Sequence, residues 1–360
     1  VVQRAAEQAG RKVVVLVDEY DKPMLQAIGN EALQAAYRST LKAFYGVLKS
    51  CDQYLRFALL TGVTKFSKVS IFSDLNNLMD ISMSPRFANI CGVTEEELRC
   101  DFLEDIRELG EANGMTAEDA ARSLKEWFDG YHFTEDSEDI YNPFSLLNTF
   151  AEKKFGNYWF ETGTPTFLVE VLKRNKYNLH RLTEEVATAD SLNGIDTMEV
   201  NPVPILYQSG YLTIKGFDKR FRLYSLGFPN KEVEEGFVRF LLPCYVDLHK
   251  SDSAFEIMRF VQEVESGDID GFMRRLQGFF ADTPYELARD LELHYQNVLF
   301  IVFKLLGFYT RAEYHTSQGR VDLVVQTDNY IYVMEFKLEG TAEEALRQIN
   351  EKQYALPFTA

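Results

Sequence analysis

Glu335 and Lys337 stand two residues apart in YVMEFKL (Tyr332–Leu338). Side chains of an extended strand alternate between faces, so an acid and a base at this spacing share one face. Asp322 lies in the preceding apolar stretch, GRVDLVV, and Thr327-Asp328-Asn329 supplies a turn between the two. The pair of stretches therefore reads as a hairpin that brings Asp322 and Glu335 together. Two carboxylates in one site are the oxygen donors that a hard divalent cation requires. Such a cation lowers the pKa of a bound water and steadies a phosphoryl group under attack. Lys337 beside it would position that water or neutralise developing charge. Glu292, on a long helical stretch upstream, adds a third carboxylate. Gln348 and Lys352 fall four apart, on one face of a later helix, and would line the same site. A plain surface ion pair between strand residues is the competing explanation.

A second acidic group sits near the start. KVVVLVDEYDKP is an apolar run that ends in Asp18-Glu19, the pattern of a Walker B strand. Asp18 would hold the Mg²⁺ of a nucleotide through water, and Glu19 would activate the attacking water. In the next apolar stretch, YLRFALLTGV and the residue after it, Thr61 or Thr64 takes the place of a sensor for the γ-phosphate. No G-x-x-x-x-G-K-[ST] occurs in the 360 residues. That loop supplies most phosphate contacts and the lysine, so ATP turnover is not expected of this chain. The first residue is Val, just before a strand, and the chain reads as a piece of a longer protein with its P-loop upstream.

Other groups carry weaker signals. Lys215, Lys219, Arg220 and Arg222 cluster in one hairpin and offer contacts to a phosphate backbone, or form an ordinary solvated hairpin. The five histidines, His315 among them, show no metal-ligand spacing, and His294 reads as structural. Arg86 is a lone candidate for an inter-subunit finger. The four cysteines are scattered with no C-x-x-C, as reduced buried thiols of a cytoplasmic protein would be.

The elements that must position these residues follow from patterning. At 360 residues and 46% hydrophobic the chain is long enough for two or three domains, its patterning reads as multi-domain α/β, and its net charge of −17 excludes a general polyanion binder. The longest apolar runs are too short to span a bilayer. Lys12–Tyr20, a helix over Glu31–Ser50 and Tyr54–Val63 make a β-α-β unit, with both strands buried on two faces of a parallel sheet. From Thr94 two helices follow, each opened by a threonine cap and divided by Asn113-Gly114. A helix restarts after Pro143. Ile205–Leu226 reads as a helix end, a glycine turn and a hairpin, the wing of a winged helix, and Pro229 marks a boundary. Helices over Lys231–Phe280 lead to a long helix (Tyr285–Phe308), three strands (Tyr309–His315, Gly319–Gln326, Tyr330–Leu338) and a closing helix from Ala342 to about Tyr354.

The set GRVDLVV…YVMEFKL…ALRQINEKQYA resembles the PD-(D/E)XK nuclease superfamily, specifically the domain attached to AAA-ATPase-like proteins of bacteria. By that resemblance Asp322, Glu335 and Lys337 are the catalytic triad, with Gln348 and, less closely, Glu292 beside them. Val321 replaces the family's proline. VVVLVDEYDKP, TGVTKFSKVSIFSDLNNLMDIS, ICGVTEEEL, WFDGYHF and YNPFSLLN are similar to the AAA-ATPase-like family over about residues 12–230. The resemblance divides the chain into a partial ATPase core (1–90), a helical lid with a winged-helix-like hairpin (91–229), a helical connector (230–284) and a nuclease-like domain (285–360). It implies Mg²⁺ or Mn²⁺ as cofactor, ATP in the longer protein, DNA as substrate, and a homo-oligomer formed through the ATPase part. Two outcomes remain open at this point: a divalent-cation-dependent DNA endonuclease, or a non-enzymatic module that holds DNA or protein with the same fold.

Overall fold

A computed structural model describes residues 1–27, 30–65, 78–161, 166–194, 201–246, 253–281, 291–317, 320–337 and 340–352. Most of the TGVTKFSKVSIFSDLNNLMDIS stretch, the expected start of the long helix (285–290) and the expected end of the last helix (353–354) lie outside them. The chain forms two compact units. The first spans Val1–Trp159, Gly163–Asn175 and Glu184–Asn230, and the second spans Phe160–Thr162, Lys176–Thr183 and Lys231–Ala360.

In the first unit, helix α1 (Val2–Ala9) precedes strand β1 (Val13–Val17), so the chain does not open directly on a strand. Helices α2 (Lys22–Gln26) and α3 (Glu31–Ser50) carry it to β2 (Leu55–Leu60), which pairs in parallel with β1. Asn30 caps α3 by accepting from the Leu33 amide. The β-α-β unit stands, but burial on both faces does not. Val14 and Leu16 are 52% and 69% exposed, and Phe57 and Leu59 lie on the same open side. Among the described residues this sheet has two strands, and only one of its faces is covered. There Val17 and Leu60 pack with Tyr20, Met24, Tyr45, Leu41 and Leu48.

Helices α4 (Glu95–Asp101), α5 (Leu103–Ala112), α6 (Ala117–Phe128) and α7 (Pro143–Glu152) follow. Thr94 and Thr116 are caps as expected, Thr94 in a reciprocal box with Glu97. The expected first helix is broken at Phe102, whose ring stacks on Phe150 of α7 instead of continuing the turn. Leu98, Ile106, Leu109, Leu124, Phe128 and Leu146 form the core of this bundle. Next come α8 (Tyr158–Glu161), which runs from one unit into the other, and then α9 (Thr166–Arg174), β3 (Val186–Ala187), α10 (Ala189–Leu192) and α11 (Val203–Gln208). The hairpin β4 (Thr213–Asp218) and β5 (Leu223–Gly227) completes an antiparallel sheet of order β3-β5-β4. All four cysteines are free, but none is buried. Cys91 lies in the turn before the Thr94 cap and Cys100 on the open side of α4.

The second unit holds α12 (Lys231–Tyr245), α13 (Ser253–Ser266), α14 (Ile269–Ala281) and α15 (Leu291–Gly307). Strands β6 (Arg311–Ser317), β7 (Arg320–Gln326) and β8 (Ile331–Lys337) then form an antiparallel sheet in that order, and α16 (Ala342–Glu351) packs on β8. Residues Val298–Phe303, Leu305 and Leu306 of α15 are all buried. A helix that is apolar all round must be enclosed, and α12, α13 and β6 pack around this one. Phe303 meets Phe336 of β8 at a ring-centroid distance of 5.7 Å, and Val325 of β7 is fully buried. Those two residues fix the side of the sheet that is committed to the core.

Candidate functional site

Strand register decides where the acids stand. Asp322 of β7 is paired directly with Glu335 of β8, and Arg320 with Lys337. Directly opposed residues share a face, so positions 322, 335, 320 and 337 lie on one side of the sheet. It is the side opposite Val325 and Phe336, because side chains alternate along each strand. On the other flank of β7, His315 of β6 is paired with Asp322 and Ser317 with Arg320. By register the positions of this face form an acid row, Asp322–Glu335, flanked by position 315, and next to it a row of positions 317, 320 and 337.

Glu335 is the member whose side chain is described. Both of its carboxylate oxygens are shielded from solvent. Burying a carboxylate is costly unless it is paired with a cation or with donors. Opposed residues in an antiparallel pair have Cβ atoms about 4.5–5.5 Å apart, which lets two carboxylates share one ion. A hard divalent cation with oxygen ligands fits this donor set. Glu292 lies in the first turn of α15, and Gln348 lies half-buried on α16, the helix that packs on β8. Lys352 is exposed just beyond α16. Among the described residues no group of three or more His, Cys, Asp or Glu side chains is gathered as a metal site. The side chains of Asp322, Lys337, Glu292 and His315 lie outside that description.

The acidic pair at the end of β1 is brought to the carboxyl edge of the parallel strands, where ligands of such sheets bind. Asp18 Oδ1 accepts from Thr61 Oγ1 at 2.7 Å and from the Glu19 amide at 2.9 Å. Glu19 adopts a left-handed φ of 52°, which favours glycine, and its carboxylate pairs with Lys22 at 2.5 Å. That bond raises the pKa of Lys22. Thr61 is therefore next to Asp18, whereas Thr64 is buried and bonds Asp21.

No sequence pattern marks Asp21. It is wholly buried and accepts from Val63 N, Thr64 N and Thr64 Oγ1, which fixes the turn that carries Thr61. Gly62 permits this approach, since a Cβ there would lie 2.4 Å from Asp21 Oδ1. Lys65, next along the turn, bonds Asp80 and Asn193 through its ammonium, and its amide donates to Gln208 of α11 at 2.6 Å. Burial opposes ionisation of Asp80, but its bonds to Lys65 and Ser82 outweigh that and hold its carboxyl below the ordinary value.

The four basic residues of the hairpin divide. Lys215 sits where the β4–β5 register shifts, and this bulge re-aims its side chain. Its ammonium donates to the carbonyls of Pro229 and Gly130. Lys219, Arg220 and Arg222 are exposed at the tip, together with Phe221, itself 62% exposed. The Arg220 guanidinium lies 5.0 Å from the Phe221 ring centroid, and Asp218 Oδ1 accepts from the amides of Arg220 and Phe221. Arg86 rests on the neighbouring Phe87 ring.

Comparison with known proteins finds a family match at each end of the chain. Residues 1–72 match the AAA-ATPase-like family described as Predicted AAA-ATPase, and residues 290–360 match the PD-(D/E)XK nuclease superfamily. The chain is 35% identical over 376 residues to an "Uncharacterized protein in vnfD 5'region" of Azotobacter chroococcum mcd 1, covering all of this chain and 69% of that protein. No solved structure matches the chain. Among the described residues no helix is long and apolar enough to cross a membrane.

Proposed function

The chain belongs to the family of AAA-ATPase-like proteins with a C-terminal PD-(D/E)XK nuclease-superfamily domain, and we propose that its β6–β8 sheet cleaves DNA with Mg²⁺ or Mn²⁺. The observation that carries this reading is the register: Asp322 faces Glu335, and Lys337 lies on the same side two residues on. Asp322 and Glu335 would hold the cation, with Glu292 as a further carboxylate. When bound, the cation supplies a water of lowered pKa and a counter-charge for the phosphoryl oxygens. Lys337 orients the attacking water and, with Arg320 opposite it, neutralises the phosphate under attack. Gln348, on the helix against β8, borders the cleft. The order helix, three antiparallel strands and helix over α15–α16 supports the nuclease-like division from 285 onward.

The first unit supports a signalling-type nucleotide site of which Asp18, Glu19 and Thr61 are the hydrolytic edge, with ATP and Mg²⁺ as ligands of the longer protein. The order α9, β3, α10, α11, β4, β5 with sheet order β3-β5-β4 supports a winged helix. Its six-residue α11 is largely buried, so DNA contact falls to the exposed wing tip of Lys219, Arg220, Phe221 and Arg222. Four free cysteines support a reducing, cytoplasmic setting.

The test is cleavage by the full chain. Plasmid and single-stranded DNA incubated with Mg²⁺ or Mn²⁺ are cut by the wild type. They are left whole in chelator and by Glu335→Gln or Asp322→Asn. Cutting that persists in both variants overturns the assignment of cleavage to Asp322 and Glu335, and no cutting by the wild type in either metal overturns the nuclease reading in favour of a non-enzymatic platform.

A further inference from the structure

The row of three positions across β6, β7 and β8 holds one residue that no reading above employs. His315 stands opposite Asp322 on the flank away from Glu335. Asp322 is on the central strand, so positions 315 and 335 flank it directly on either side, with strands about 4.8 Å apart. The core-facing side of β7 is fixed by buried Val325, three residues from Asp322 and therefore on the other face. Position 315 thus shares the polar face with the two acids.

We infer that His315 is the third protein ligand of the divalent cation, and that its imidazole makes the site select Mn²⁺ over Mg²⁺. The inference rests on the reading of Asp322 and Glu335 as metal ligands. The chemistry is that of the donor set. Two carboxylates alone suit Mg²⁺ and Mn²⁺ alike, whereas an added imidazole nitrogen favours first-row transition ions over the strictly oxygen-seeking Mg²⁺. A cross-strand partner leaves no trace in sequence spacing, which is why the histidines show no ligand pattern along the chain.

The experiment uses the full chain with Mn²⁺ and Mg²⁺, each added separately, as the probes. Pulsed electron paramagnetic resonance of bound Mn²⁺ is expected to show modulation from a directly bonded ¹⁴N. His315→Ala is expected to lose that modulation and to weaken Mn²⁺ by about tenfold or more, a loss that even outer partners of metal ligands cause. Mg²⁺ affinity, measured by calorimetry, is expected to change far less, so the Mn²⁺ preference narrows. His315→Gln, which keeps a polar side chain of similar reach, serves if the alanine variant is unfolded by circular dichroism. Mn²⁺ binding that is lost in Asp322→Asn but shows no ¹⁴N modulation, or modulation that survives His315→Ala, overturns the role of His315 and leaves the nuclease reading intact. Mn²⁺ binding indifferent to Asp322→Asn overturns that underlying reading as well.

Discussion

Asp21 bears more structure than its neighbours in DEYDKP, because three donors of the 63–64 turn converge on one buried carboxylate. Asp21→Ala leaves buried amides without that acceptor, which costs about 1–3 kcal/mol. Amide exchange at Val63 and Thr64 should accelerate in this variant and stay unchanged in Asp18→Ala, where the side chain is exposed. Gly62→Ala should speed the same amides, since its Cβ meets Asp21 at 2.4 Å. Glu95 gives a pH-dependent case. Burial opposes its ionisation, but the hydroxyl of Tyr141, Arg99 and Lys125 outweigh that and hold its carboxyl below the ordinary 4.5. A carboxyl depressed in the folded state adds stability above its unfolded value, and that stability drains as pH falls through the lower folded value. Glu95→Gln should therefore destabilise the α4–α7 bundle at neutral pH, and the difference from wild type should shrink below pH 4.5. Urea melts at several pH values would read it.

Elements were legible where one local rule governs them. The Thr94 and Thr116 caps, Pro143 at a helix start and the alternation of β6–β8 each state their structure in a few residues. The acid row followed, since Asp322 and Glu335 needed only the correct hairpin register. What stayed hidden depends on contacts distant in sequence. Phe102 breaks a helix to reach Phe150, Lys215 is turned away by a bulge, and Lys65 answers to Gln208, 143 residues on. The apolar run of β1 reads as buried on both faces, yet hydrophobicity does not say how many faces the fold covers. The wing tip gives the prediction for this level. Lys219→Ala and Arg220→Ala should each weaken binding to a DNA duplex and lower the salt dependence of log affinity by about one. Lys215→Ala should leave the salt slope unchanged, because its ammonium is held by backbone carbonyls. Fluorescence anisotropy across a salt series separates the two results.

The whole chain carries a charge of −17, so any contact with a polyanion would fall to local basic features and not to the overall charge. The two units hold separate acidic groups, Asp18 and Glu19 in one and the acid row in the other. Without a G-x-x-x-x-G-K-[ST] loop the 360 residues should show no micromolar ATP affinity by calorimetry, with Asp18 and Glu19 both present. The acid row makes the opposite prediction for metal alone. Parallel titrations of Mg²⁺ and Mn²⁺ into the full chain should reveal a site that disappears in Asp322→Asn and in Glu335→Gln and is kept in Asp18→Asn. A divalent-cation site that survives both β7 and β8 substitutions, or that disappears with Asp18 instead, would contradict the claim that Asp322 and Glu335 hold the metal together.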